Sequence, residues 1–185
     1  QLDAHPRAGI GEIGLDRWIK GHDIADQIEV FTAQLAIAAA ENRPVTIHCI
    51  QAWGTLREII ESHPLPARGF LLHSFGGPRE FISAFADRGG YFSFSPYFLH
   101  ARKAVKRENF RHVARDRLLI ETDAPDMAPP DERNPHPLRD GEDRPLNHPA
   151  NISLARDALA EVIESDACEI ERRVGSNFSR IFGGD

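Results

Sequence analysis

Hydrophobic positions along the chain switch repeatedly between two spacings. Short runs rich in β-branched, leucine or aromatic residues, each bounded by turn residues, predict strands at 8–15, 44–49, 69–74, 90–95 and 117–122. Between them, apolar residues recur every three to four positions. The clearest case is 23–42, where Ile24, Ile28, Phe31, Leu35 and Ala38 share one face, Asp23 stands as N-cap and Pro44 ends the run. Further helices are predicted at 55–62, 79–88 and 103–116. Two more close the chain at 149–164 and 166–182, the last with Ile170, Val174, Phe178 and Ile181 along one side. Strands alternating with helices imply an α/β fold, a parallel sheet with helices outside it. Residues 124–149, crowded with proline, aspartate and arginine, read instead as a long functional loop.

Polar residues then fall where such a fold places its chemistry. In parallel β/α barrels, catalytic groups gather at the C-terminal ends of the strands. The first predicted strand carries Glu12, with Asp16 just beyond it; the second ends in "VTIHC" with His48, and the third in "FLLHSFGG" with His73. The fifth ends in "LLIETDAP", with Glu121 and Asp123. Buried strand positions normally select apolar side chains, so imidazoles and carboxylates on four of five strands are informative as a set. Two histidines and two carboxylates suit a divalent transition metal, which acidifies water and supplies hydrolytic chemistry.

Taken singly, each residue has a plainer reading. A histidine near a strand end is commonly a hydrogen-bonded structural group, Asp123 before Ala124-Pro125 resembles a turn aspartate, and Glu12 alone would suit an arginine partner. The repeated placement of His48 and His73 in successive units favours the metal. Cys49 alternates to the other side of its strand and reads as packing, while His5, His22, His63, His100, His112 and His148 read as surface or loop residues.

Composition narrows the context. The chain has 185 residues, 41% of them hydrophobic, which suits one domain over 1–185. A net charge of -6 gives no overall positive field for nucleic acid, so any such contact must be local. Two distant cysteines, Cys49 and Cys168, form neither a CxxC pair nor a disulfide framework, which favours a reducing, cytoplasmic setting. No apolar run reaches membrane-spanning length, and no membrane partner is expected. Because the first residue is Gln1 and not methionine, a further upstream segment is expected.

The ordered motifs "GEIGLD", Gln27 to Leu35 (Q-x-x-x-F-x-x-QL), "PVTIHC", "HSFGG", "YFSFSP", "LLIETDAP", "NHPANI" and Asn177 to Phe182 (N-x-x-R-x-F) span nearly the whole chain. In this set the sequence resembles the TatD family of metal-dependent deoxyribonucleases, TIM-like (β/α) barrels related to the amidohydrolases. The resemblance implies phosphodiester hydrolysis at 3′ ends of DNA, single-stranded or frayed, with two divalent ions (magnesium, manganese or zinc). It implies that Glu12 bridges the two ions, that His48 and His73 bind the second, and that Asp123 binds the first and orients the attacking water. Asp16 would support the ligands from behind.

Three departures qualify the likeness. The family's first strand normally carries a His-x-His pair for the first metal, and no His-x-His occurs in these 185 residues. A barrel of this type has about 250 residues, so the chain is expected to lack the first two β/α units, with only one ion retained if that segment is missing. Ile50 stands where the family often has arginine, with Trp53 available to pack at that part of the mouth. Arg133, Arg139 and Arg144 in the long loop would meet phosphates or simply solvent, and the solvated reading is preferred. Two other functions stay open at this point: an amidohydrolase-like lactone, amide or ester hydrolase, and an inert barrel remnant that binds a partner through an exposed sheet edge.

Overall fold

The computed structural model describes residues 4–5 and 8–183. Five strands, β1 (Ile10–Asp16), β2 (Val45–Ile50), β3 (Phe70–Leu72), β4 (Gly90–Phe94) and β5 (Leu118–Ile120), form one sheet in chain order. Every neighbouring pair is parallel. This is the wall of a TIM-like barrel, in which each strand hands over to a crossover and returns beside its predecessor. Among the described residues β1 and β5 are the two ends of the sheet.

Helices α1 (Ile24–Ala40), α2 (Trp53–Ser62) and α3 (Ile82–Asp87) fill the first crossovers. The Asp23 carboxylate caps α1 by accepting from the Ala25 amide at 2.8 Å and the Asp26 amide at 3.3 Å. One face of the sheet, carrying Leu15, Ile47, Phe70, Leu72, Phe92 and Phe94, is fully buried. It belongs to a single apolar cluster with Phe31 and Leu35 of α1, Leu56 and Ile60 of α2, and Phe85 of α3. Each such side chain contributes about 1.5–3 kcal/mol of burial energy. The opposite face begins with a smaller layer of Leu71, Tyr91 and Leu119 and then turns polar toward the strand ends.

Two expectations need correction. The region predicted as one helix at 103–116 contains only α4 (Ala104–Glu108), flanked by tight 3-10 turns. The cause is tertiary: Phe110 must sit among Phe75, Phe94 and Phe98, and Asn109 donates to the Gly77 carbonyl at 3.0 Å. The other correction concerns Phe178. In α6 (Ala167–Phe182), which follows α5 (Ile152–Val162), Ile170 and Ile181 are buried but Phe178 is 55% exposed. Asn177 takes the inward position instead, donating to the carbonyls of Arg115 at 2.9 Å and Leu118 at 2.8 Å at the entry to β5.

Residues 124–149 are largely irregular, as expected, with one short antiparallel pair, β6 (Leu138–Arg139) and β7 (Pro145–Leu146). Their arginines bind carboxylates of the protein itself: Arg133 to Glu161 at 3.2 Å, Arg139 to Asp131 at 3.1 Å and Arg144 to Asp140 at 2.7 Å. Cys49 is buried in the core, which pushes its thiol pKa up to about 12, and Cys168 is exposed; both are free. Among the described residues no helix is long and apolar enough to cross a membrane.

Candidate metal centre

The site begins with an irregularity in β1. Ile10 pairs with Val45 but Ile13 pairs with Ile47, so β1 fits one more residue than β2 into the same interval. That bulge lies at Gly11 and Glu12, and it lets the Glu12 side chain turn toward the neighbouring strand. The flanking glycines permit the contact. Gly14 lies opposite His48 at a φ of 149°, and a Cβ there would stand 1.9 Å from the His48 carbonyl oxygen. At Gly11 a Cβ would come within 2.9 Å of the Thr46 Cβ. The glycines of "GEIG" therefore press the carboxylate-bearing strand against the histidine-bearing one.

Glu12, His48 and His73 converge. His48 Nδ1 and His73 Nε2 are 3.0 Å apart, with the rings stacked at 5.2 Å between centroids. Glu12 Oε2 lies 3.4 Å from His73 Nε2 and 3.8 Å from His48 Nδ1. These three side chains can each offer one ligand atom to a common ion. A tetrahedral shell with bonds of about 2.0–2.2 Å has edges of about 3.3–3.6 Å, so small adjustments of these separations would fit the donor set of a zinc-like ion. No arginine pairs with Glu12 among the described residues, which disposes of its plainer reading.

Each histidine is held from behind. The second nitrogen of His48, Nε2, lies 3.1 Å from Asp16 Oδ2, and that of His73, Nδ1, lies 3.6 Å from Glu121 Oε1. One nitrogen of each ring thus faces the cluster and the other faces a carboxylate; for His48 the carboxylate is in hydrogen-bond contact, the arrangement that fixes tautomer and raises basicity in metal-binding histidines. Glu121 is further fixed through its other oxygen by the Ser93 hydroxyl, which also accepts from the Ser74 amide at 3.0 Å. Its Oε1 is buried without a hydrogen-bond partner. Burial opposes a charge on His73, but Glu121, Glu12 and Asp123 outweigh it and raise its pKa.

Asp123 lies beyond this trio and outside its ligand set. Its φ is 62°, and its carboxylate accepts no hydrogen bond among the described residues. The turn that follows is made by Thr122, whose hydroxyl accepts from the Ala124 amide at 3.3 Å. The Asp123 backbone thus lies within this turn, while the side chain that closes the turn is that of Thr122. Burial pushes its pKa up, His73 opposes this, and Glu121, Glu12 and Asp126 add to it. Its loop is clamped by the buried Asn147, which donates to the carbonyls of Thr122 at 2.6 Å and Met127 at 3.2 Å.

Two side chains thus support the site in ways the sequence did not reveal. Glu121 was visible at a strand end, and its spacing two residues before Asp123 puts both on one face, but nothing linear assigns it to His73. Asn147 belongs to "NHPANI", whose purpose emerges only from contacts with a loop 20 to 25 residues earlier. Trp53 packs edge-on to Phe75 at 5.2 Å, beside the His73 loop.

Residues 1–183 match the sequence pattern of the TatD related DNase family. The chain belongs to the TatD family. YabD, a metal-dependent hydrolase of Bacillus subtilis, is 32% identical over 185 residues, 98% of this chain and 68% of its own length. The 3′-5′ ssDNA/RNA exonuclease TatD of Escherichia coli K12 is 31% identical, over 99% of this chain and 69% of its own. The crystal structure of the TatD homologue YjjV from Escherichia coli superimposes with a TM-score of 0.85 at 25% identity, covering all of this chain and 68% of that one. This TatD-family chain spans about two thirds of the length of such relatives.

Proposed function

We propose that this TatD-family protein is a metal-dependent hydrolase that cleaves phosphodiester bonds of single-stranded DNA from the 3′ end. The observation that carries the reading is the Glu12, His48 and His73 cluster, with a carboxylate behind each histidine. The exonuclease TatD, alike over almost the entire chain, supplies the substrate class.

Glu12, His48 and His73 would hold one divalent ion, magnesium, manganese or zinc, and Glu12 would be shared with a second ion that Asp123 also serves. Such ions stabilise negative charge on a phosphoryl group and lower the pKa of water. The protein's own residues do the rest. Asp16 and Glu121 hold the imidazoles in place. Asp123, whose carboxylate accepts no hydrogen bond among the described residues, accepts a proton from the attacking water. Asn147 keeps the Asp123 loop from drifting. The two free cysteines accord with a reducing, cytoplasmic setting.

The test is release of nucleotides from 3′-labelled single-stranded DNA with manganese, with chelator, and with Asp123→Asn. Metal-dependent release that falls by about 100-fold or more in the variant is expected. A folded, metal-loaded protein that releases nothing from DNA yet hydrolyses lactones or esters would overturn the phosphodiester assignment.

A further inference from the structure

The chain is acidic overall, yet Arg102, Lys103, Lys106 and Arg107 stand within six residues of one another just after β4. Many other arginines are ion-paired, including those of the long loop and Arg156, Arg172 and Arg173. Among the described residues none of these four cations meets a carboxylate within ion-pair distance. They contact aromatic and carbonyl groups instead. Arg102 donates to the Tyr97 hydroxyl at 2.6 Å and lies 5.4 Å from the Tyr97 ring centroid; Lys103 lies 5.0 Å from the same centroid. Burial and then the neighbouring Lys103 lower the pKa of Lys106. The four cations together form a local excess of positive charge, the kind of patch that attracts nucleic-acid phosphates.

The same segment borders a cavity of about 430 Å³ lined by Tyr97, His100, Arg102, Met127, Pro129 and Pro130. Met127 connects it to the metal centre, because its sulfur accepts from the hydroxyl of Ser74, which directly follows His73, at 3.5 Å. Lys106 reaches the same loop and donates to the Gly76 carbonyl. Asp131 and Glu132 also border the cavity, Asp131 in its ion pair with Arg139. With Tyr97, Met127 and prolines beside two carboxylates, the cavity repels a phosphate and offers flat surface to a base. The phosphates then fall to Arg102, which borders the cavity, and to its neighbour Lys103.

We propose that this cavity seats a nucleobase of the substrate strand beside the cleaved linkage, while Arg102 and Lys103 bind that strand's phosphates. The inference rests on the nuclease reading above and adds to it a nucleotide subsite made of this chain's own residues. Stacking on Tyr97 and its cations tolerates any base, so the subsite recognises a base without selecting among the four.

The test is fluorescence anisotropy of the full, manganese-loaded protein with 5′-labelled oligonucleotides whose 3′ linkages are phosphorothioates that resist cleavage. One oligonucleotide is base-bearing throughout, and the other is abasic at its two 3′-terminal positions. The base-bearing strand should bind about 5- to 100-fold more tightly, and Tyr97→Ala should bring the ratio close to one. The double change Arg102→Gln and Lys103→Gln, on a surface turn, should reduce the slope of log affinity against log salt by about 1.4, since each single-strand phosphate contact contributes about 0.7. Equal wild-type affinity for the two strands, or an unchanged salt slope in the double variant, would overturn the subsite while leaving the nuclease reading intact. A wild-type protein that binds neither strand would overturn both.

Discussion

The two faces of the sheet are built from the same strands and serve opposite ends. On the helix-covered face Leu15, Ile47, Phe70, Leu72, Phe92 and Phe94 are fully buried against α1, α2, α3 and α5, with no polar side chain interposed from the strands. On the other face Glu12, Asp16, His48, Ser93 and Glu121 line the upper part, with His73 just past the end of β3. Strand alternation separates the two sets, with the bulge in β1 setting the phase for Glu12. One face supplies most of the free energy that holds the backbone, and the other uses that fixed backbone to keep costly polar groups close together.

Changes on the two faces should therefore move different observables. Phe92→Ala should lower the unfolding free energy by about 3–5 kcal/mol, measured by denaturant titration, because it opens a cavity under the sheet. A stability loss well below that range would mean that the packed face is not where the folding energy lies. Gly14→Ala acts on both faces at once, because the added methyl collides with the His48 carbonyl. It should destabilise by about 2–3 kcal/mol and weaken metal binding by calorimetry; unchanged values of both would show that β1 and β2 do not approach so closely.

Asp16→Asn and Glu121→Gln touch only the polar face. Each should reduce metal affinity by about 10- to 100-fold while leaving the unfolding midpoint of the metal-free protein nearly unchanged. An equal effect on stability and affinity would blur the division between the faces. The smallest effect is expected far from either. Asp140 in the β6–β7 turn is held below the usual carboxylate range by the Arg144 amide and guanidinium. A depressed pKa contributes above the unfolded value of about 3.9 and is lost as pH falls through the folded one. Asp140→Asn should therefore loosen amide exchange in that turn near neutral pH and make little difference in strong acid.

Much of this division was legible in the linear chain. Alternation located all five strands, and the strand-end positions of Glu12, His48 and His73 anticipated their convergence. The break in the helix expected at 103–116 was not legible, because it follows from where Phe110 and Asn109 find their partners. Phe178 misled for a related reason: an apolar stripe says that a helix has an inward side, but the carbonyls that draw Asn177 inward belong to β5 and its approach.

What the sequence determined by itself was the order of strands and helices, the identity of the metal-binding candidates and membership of the TatD family, because hydrophobic period and motif order are linear properties. The tertiary structure decided which carboxylate stands behind which histidine, that the Thr122 hydroxyl and not the Asp123 carboxylate closes the turn, and that the cations after β4 meet no carboxylate among the described residues and lie beside a cavity. Those are relations across dozens of residues, fixed by register and by the bulge in β1, and a distance of 3 Å between side chains has no representation in the spacing of letters.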